Sequence, residues 1–151
     1  MKSIYRRSLG VAAVAFGCAL FTGGNAEAQN VPKADVFVIH ATQCDKPNVD
    51  PGIGEAPPLK YNCYKLLDRK QLPLTKGAPG NMTLVNNRTF QVVLNDTTPD
   101  KRYKITASIS QPGGNGFNKL ADITADPNKR FYLGGFAHQG GAIVLAISIV
   151  P

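Results

Sequence analysis

Short stretches of apolar residues, divided by turn residues, run through most of the chain. Residues 103–110 alternate almost strictly between apolar and polar side chains, which predicts an extended strand with one apolar face. That face carries Tyr103, Ile105, Ala107 and Ile109. Residues 36–39 are all apolar and residues 143–150 are apolar except for Ser148, so both runs, which have strand length, predict buried strands.

Further strands are predicted by runs of β-branched, aliphatic and aromatic residues between turn signals. They cover residues 61–74, 82–85, 89–94, 120–124 and 130–133. For residues 61–74 a short helix competes with the strand, but Pro73 and the following Gly77 leave little room for a capped helix. Asn86 and Asn87 tolerate positive φ, so they predict a tight hairpin turn.

The spacing of the turn signals indicates the fold class. They recur every eight to twelve residues among short strands, which is typical of an all-β sandwich or barrel. No segment after residue 28 shows the 3.6-residue period of a helix. The sequence therefore predicts an all-β fold, a single antiparallel β-sandwich that is Ig-like in general architecture, with about seven or eight strands.

The beginning of the chain carries the three parts of a secretory signal peptide. Three basic residues stand among the first seven, residues 9–21 form an apolar run, and an A-x-A site ends at Ala28. This run is too short for a bilayer span, which needs about 20 residues. We therefore expect cleavage after Ala28, a single β-rich domain at residues 29–151, and a periplasmic or secreted location. No transmembrane segment is expected in the mature chain.

Charge and cysteines fit this interpretation. Removing residues 1–28 takes three basic residues and one acidic residue from the 17 and 10 of the whole chain, which leaves a net charge of +5. The basic residues are scattered, so they indicate a solvated surface before a dedicated patch. Cys44 and Cys63 remain, and an even count in an exported domain predicts a disulfide. Closing such a loop stabilises the fold by roughly 3 kcal/mol.

The segment between these cysteines is rich in proline and glycine. Residues 45–58 contain four prolines and two glycines, which predicts a segment without regular structure. Loops of this length are uncommon in compact domains and are often functional, so we expect the binding surface at residues 45–61. The glycine-flanked residues 134–141 form a second candidate loop. The predicted binding residues are Asp50, Glu55, Lys60, Tyr61 and His138.

Sequence patterns of catalysis are absent or weak. The chain lacks a G-x-S-x-G elbow, an H-E-x-x-H pair, a Walker A loop and a C-x-x-C motif. His40, His138 and the two cysteines could ligate zinc by type, but their spacing fits no compact zinc motif, and export favours the disulfide. We expect no catalytic residue, no metal ion, no cofactor and no nucleic-acid partner.

Several phrases of the sequence together resemble a known group of proteins. The phrases are VFVIHA at 36–41, VDP at 49–51, YKLLD at 64–68, NRT at 87–89, FYL at 131–133 and GGAIVL at 140–145. They resemble a group of small exported proteins, uncharacterised in function, from myxobacteria and related deltaproteobacteria. That group tends to carry Asn-Gly near Asn87 and generally lacks the cysteine pair. The resemblance implies export and β structure, and it implies no activity.

Three functions are compatible with these observations. The first is a non-enzymatic exported module that contacts a protein or an envelope component through residues 45–61. The second is a small envelope hydrolase that uses His138 or the carboxylates of Asp50, Glu55 and Asp68. The third is a structural subunit of an exported assembly, with residues 143–150 as an unpaired edge strand. The first is the one we expect.

Overall fold

A computed structural model describes residues 31–151, which form nine β-strands and no helix. The strands are β1 (Lys33–Thr42), β2 (Asn48–Val49), β3 (Cys63–Pro73), β4 (Pro79–Thr83), β5 (Thr89–Thr97), β6 (Tyr103–Ser110), β7 (Phe117–Ala125), β8 (Phe131–His138) and β9 (Gly141–Val150). The all-β prediction is confirmed, but the described residues form nine strands and not the seven or eight predicted, because the short strand β2 lies in a segment predicted to lack regular structure. The predicted signal peptide and its cleavage site lie outside the described residues.

The strands form two sheets. One has five strands in the order β2-β3-β1-β9-β8, and the other has four in the order β4-β5-β6-β7. Pairing between the named strands is antiparallel except between β2 and β3. The four-stranded sheet follows chain order because short turns connect its neighbours, whereas the five-stranded sheet brings together strands from both ends of the described chain.

The two sheets contribute to one apolar core. Val36 of β1, Phe90 of β5, Ile105 of β6 and Leu145 of β9 all belong to this buried cluster. The alternation along β6 places its apolar face in the cluster, as the sequence predicts, while Lys104 points to solvent. One face of the four-stranded sheet is therefore buried and the other is largely solvated.

A second apolar cluster covers the opposite face of the five-stranded sheet, which we call its outer face. Phe37 and Ile39 of β1 and Val144 of β9 belong to it, together with Ile53 from the β1–β3 connection. Six consecutive residues of β1 and six of β9 are buried, because these central strands have apolar cover on both faces. This double burial explains why the sequence shows continuous apolar runs there.

Several strand predictions need correction. Residues 134–141 are not a loop, because β8 continues to His138 and the turn lies at Gln139 and Gly140, which have positive φ. Gly134 and Gly135 do not end the strand but form a β-bulge, in which Gly135 has φ of 100° and the register shifts. β9 is not an edge strand, since it lies between β1 and β8.

Other details differ less. The predicted strand at 82–85 lies at Pro79–Thr83, because the turn begins at Leu84, whose N–H bonds to the Arg88 carbonyl oxygen. The segment predicted to lack regular structure contains the two-residue strand β2. The strand prediction for residues 61–74 is confirmed by β3. Positive φ at the hairpin turn is also confirmed, at Asn87, where φ is 61°.

Candidate binding site

Residues 43–62, between β1 and β3, fold back over the outer face of the five-stranded sheet, and we call them the flap. Its base is closed by a disulfide between Cys44 and Cys63, whose Cα atoms are 6.1 Å apart, which confirms the predicted bridge. Asn62 reinforces the same base. Its Oδ1 accepts a hydrogen bond from the Cys44 N–H at 2.8 Å, and its Nδ2 donates to the Cys44 carbonyl oxygen at 2.7 Å.

The middle of the flap is anchored by Asp50 and Ile53. The Asp50 carboxylate accepts hydrogen bonds from the N–H groups of Gly52 at 2.9 Å and Leu66 at 3.3 Å, so it shapes a turn and ties it to β3. Ile53 follows this turn and is almost completely buried in the outer cluster. Arg130, the residue before β8, donates to the Ile53 carbonyl oxygen at 2.8 Å.

Phe37 lies beneath this anchor, between two guanidinium groups. The Cζ atoms of Arg69 and Arg130 are each 4.6 Å from the centroid of its ring. Arg69 also pairs with the buried Asp35 through two hydrogen bonds, of 3.1 and 2.8 Å. This hydrogen bonding and the nearby negative charge raise the pKa of Arg69. Both guanidinium groups therefore have internal partners at this end of the sheet.

The last turn of the flap is held by Tyr64 of β3. Its hydroxyl lies 2.8 Å from the carbonyl oxygen of Tyr61 and 3.2 Å from that of Leu59. Burial raises the pKa of the Tyr64 hydroxyl. The Gln43 side chain also donates to the Lys60 carbonyl oxygen at 2.6 Å. Residues 59–61 are thus fixed by their backbone, which leaves their side chains available.

A cleft of about 290 Å³ opens between this turn and β8. We call it the tyrosine cleft. It is lined by Leu59, Tyr61, Tyr132, Leu133, Gly134, Gly135 and Val144. The floor of the cleft has no side chain at Gly134. A Cβ there would lie 2.8 Å from the Ile143 carbonyl oxygen and the Val144 Cα atom, so only glycine fits. The close approach of β9 to Gly134 of β8 therefore requires a residue without a side chain at this point of the cleft.

The charges around the tyrosine cleft are uneven. No Asp or Glu lines it. Lys60 stands between two lining residues, is exposed, and forms no ion pair with any residue in the range 31–151. The five ion pairs of that range all involve other residues. The cleft thus has an apolar, aromatic wall, and the exposed Lys60 is adjacent in sequence to two of its lining residues.

The structure places the predicted binding residues in three regions. Lys60 and Tyr61 adjoin the tyrosine cleft, while Asp50 borders a separate hollow on the other flank of the flap. Glu55 is exposed within the flap, with no hydrogen bond or ion pair to the described residues. His138 ends β8, where its ring lies edge-on to that of His40, with ring centroids 5.3 Å apart.

Three lining residues, Tyr132, Leu133 and Val144, lie outside the two segments predicted to bind, and Leu59 lies within one of them but was not singled out. Tyr132 and Gly134 occupy alternate positions of β8 and so share its outer face, opposite Ala146 and Val144 of β9. A strand prediction that continued through Gly134 would have placed Tyr132 on the same face of β8 as a residue without a side chain. Leu59 carries no sequence signal beyond an apolar residue in a polar loop.

No hydrogen bond joins His138 to Asp50, Glu55 or Asp68, the residues considered for a hydrolase, in the part of the chain that the structure describes. The Asp50 carboxylate is engaged by two backbone N–H groups. The recorded polar contact at His138 is its carbonyl oxygen, which lies 3.0 Å from His40 Nε2. Among residues 31–151 no three His, Cys, Asp or Glu side chains come together as metal ligands.

Comparisons of the chain with protein-family models, with curated proteins and with solved structures find no match. The described part of the chain contains no helix with the length and hydropathy of a membrane span. The tyrosine cleft and its surroundings therefore carry the functional argument by themselves.

Proposed function

We propose that the chain is an exported, non-enzymatic binding module with a β-sandwich of Ig-like general architecture. It contacts a protein or another envelope component through the tyrosine cleft. Export is supported by the secretory pattern of the first 28 residues and by the Cys44–Cys63 disulfide, which suits an oxidising compartment. The resemblance to small exported proteins of myxobacteria and related deltaproteobacteria supports the same location.

The observation that carries the binding proposal is that many contacts fix the backbone around one open cleft. The disulfide, the Asn62 hydrogen bonds and the Tyr64 hydroxyl all fix the backbone of the flap. Yet Leu59 remains 41% exposed at the rim, beside two tyrosine rings. A rigid backbone that presents aromatic side chains loses little entropy on binding, which favours a recognition surface.

The hydrolase alternative receives less support, because its carboxylates and His138 lie in separate regions with structural contacts. A structural subunit of an exported assembly receives more support, because β8 is an edge strand of the five-stranded sheet. In that case a strand from another subunit would pair with the free edge of β8.

The test compares two aspartate substitutions at exposed apolar residues. Leu59→Asp changes the rim of the cleft, and Val85→Asp changes a residue of similar exposure, 46%, at the turn between β4 and β5. The chain and both variants, purified after export, are immobilised and exposed to envelope extract. A partner retained by the native chain and by Val85→Asp but lost by Leu59→Asp supports the proposal. Equal retention by all three, or no specific partner, overturns the cleft as the binding surface.

A further inference from the structure

The edge strands of the two sheets differ in how well they are protected from further pairing. β2 has only two residues, β4 has five and begins with proline, and β7 carries the charged residues Lys119 and Asp122. Short length, proline and charge are the usual devices that prevent a free edge from pairing with another chain. β8 has eight residues, none of them Asp, Glu, Lys, Arg or Pro, and only its bulge interrupts it.

The bulge divides this edge into two parts. Residues 131–134 pair with β9 in continuous register, and the register shifts after Gly134. A bulge leaves its extra residue outside the ladder, so regular pairing with an added strand ends there. The segment before the bulge is also the one that lines the cleft, through Tyr132, Leu133 and Gly134. The pairing edge and the cleft therefore coincide.

The size of the cleft fits one side chain of such a strand. Its volume of about 290 Å³ lies at the lower limit of sites for whole small molecules, which span about 300–1,000 Å³. Alternate side chains of a strand added to β8 would point to the outer face, the face of Tyr132. One large apolar side chain of the added strand can then enter between the flap and β8.

The charge nearest the cleft in sequence is that of Lys60, which stands between the lining residues Leu59 and Tyr61. Lys60 is exposed and unpaired within residues 31–151, and no acidic residue lines the cleft. Complementary charge steers association and suppresses wrong partners. An acidic side chain two positions from the apolar one would lie on the same face, since the period of a strand is two.

We propose that the tyrosine cleft binds an extended, acidic segment of a partner protein. The segment adds as a strand to residues 131–134 of β8, inserts one large apolar side chain, and places a carboxylate near Lys60. This inference rests on the proposed function and names its partner class. In strand addition the main-chain hydrogen bonds supply affinity and the side-chain pockets supply specificity.

The test uses defined peptides and the isotope-labelled exported chain in an NMR titration. The probe has nine residues, with a central phenylalanine, a glutamate two positions away on each side, and threonine and valine elsewhere. We expect shifts at the backbone amides of residues 131–134 and at Lys60 and Tyr61. A second probe is N-methylated on its pairing N–H groups, so it keeps every side chain but loses main-chain hydrogen-bond donors. We expect it to bind at least ten-fold more weakly than the first probe, because those donors supply the strand pairing.

A charge exchange tests the role of Lys60. Replacing both glutamates of the probe by lysine should weaken binding, and Lys60→Glu should reverse the preference between the two probes. A non-additive recovery of that kind requires proximity of the two charges. Leu59→Asp should abolish binding of either probe, whereas Val85→Asp should leave it unchanged.

Three outcomes overturn the inference. Equal binding of the N-methylated probe shows that no strand is added. Absence of shifts with every probe, while an envelope partner still depends on Leu59, rejects the acidic strand and leaves the proposed function standing. Concentration-dependent dimerisation of the native chain in sedimentation, abolished by Leu59→Asp and kept by Val85→Asp, identifies a second copy as the occupant.

Discussion

Arg130 donates a hydrogen bond of 2.8 Å to the carbonyl oxygen of Ile53, 77 positions earlier in the chain. The contact joins the residue before β8 to the buried apex of the flap. Arg130 also stacks on Phe37, so one side chain touches the flap and the sheet beneath it. The position of the flap over the sheet therefore depends on a residue outside the flap.

Removing this guanidinium should loosen the flap. We expect Arg130→Ala to lower the free energy of unfolding by about 2 kcal/mol, since hydrogen bonds to charged groups contribute about 1.5–3 kcal/mol. Urea denaturation measures the loss, and hydrogen exchange at the amides of residues 53–54 should accelerate. The neighbouring Lys129→Ala is the control and should stay within about 0.5 kcal/mol. Equal effects of the two substitutions would contradict the anchoring role of Arg130.

The disulfide should stabilise the flap without being required for the fold. The Cys44→Ser/Cys63→Ser variant should lose roughly 3 kcal/mol of unfolding free energy. It should keep its β-sheet circular dichroism, because Asn62 and Arg130 hold the same segment. Adding Asn62→Ala should cost more in the variant than in the native chain, because the two contacts share one task. A native far-UV spectrum that is lost with the disulfide would refute this division.

The raised pKa of Tyr64 predicts a loss of stability in alkali. The folded state holds the hydroxyl proton more tightly than the unfolded chain, whose tyrosine titrates near pH 10. Stability is therefore fully present below about pH 10 and falls as the pH rises through the folded pKa, because the unfolded state releases its proton first. Tyr64→Phe should be less stable at neutral pH by about 1 kcal/mol, from the lost hydrogen bond.

The measurement compares the free energy of unfolding of the native chain with that of Tyr64→Phe across pH. Urea denaturation between pH 8 and pH 11 should show the native chain approaching Tyr64→Phe as the pH rises. Tyr132→Phe is the control, since the Tyr132 hydroxyl forms no hydrogen bond within residues 31–151. A constant difference between native and Tyr64→Phe at all these pH values would reject a folded-state pKa shift.

The glycine at the cleft floor should resist substitution. Gly134→Ala places a Cβ 2.8 Å from backbone atoms of Ile143 and Val144, which cannot move aside as a flexible side chain would. Overpacking of this kind typically costs about 1–3 kcal/mol. We expect Gly134→Ala to lower the thermal midpoint, and Ala137→Ser, on the same exposed stretch of β8, to leave it nearly unchanged. An unchanged midpoint for both would mean that β8 can shift freely against β9.

The strands that face solvent on one side were the most predictable. The bounds of β6 agree with the sequence prediction, because polar residues on its open face make the alternation visible. β1 and β9 were recognised as strands, but their partners were not, since a mainly apolar run without alternation carries no information on what covers each face. For the same reason, the order of the strands in the sheet could not be predicted from the sequence.

The candidate site was predictable only in part. The proline-rich flap and Tyr61 were singled out from sequence, and the structure brings Tyr61 to the cleft. The anchor was missed because Ile53 is a single apolar residue among polar ones, and its burial depends on a sheet formed by distant residues. Gly134 and Gly135 suggested a strand end, whereas tertiary packing continues the strand through a bulge.

The pairing of β1 with β9 has a consequence for when the protein can fold. These central strands come from opposite ends of the described chain and match residue for residue from Lys33 with Val150 to Ala41 with Ala142. Contacts between such distant positions slow folding, because a long loop must close before they form. The five-stranded sheet can be completed only after β9 has been synthesised, whereas the four strands of the other sheet follow one another in sequence and can pair before that.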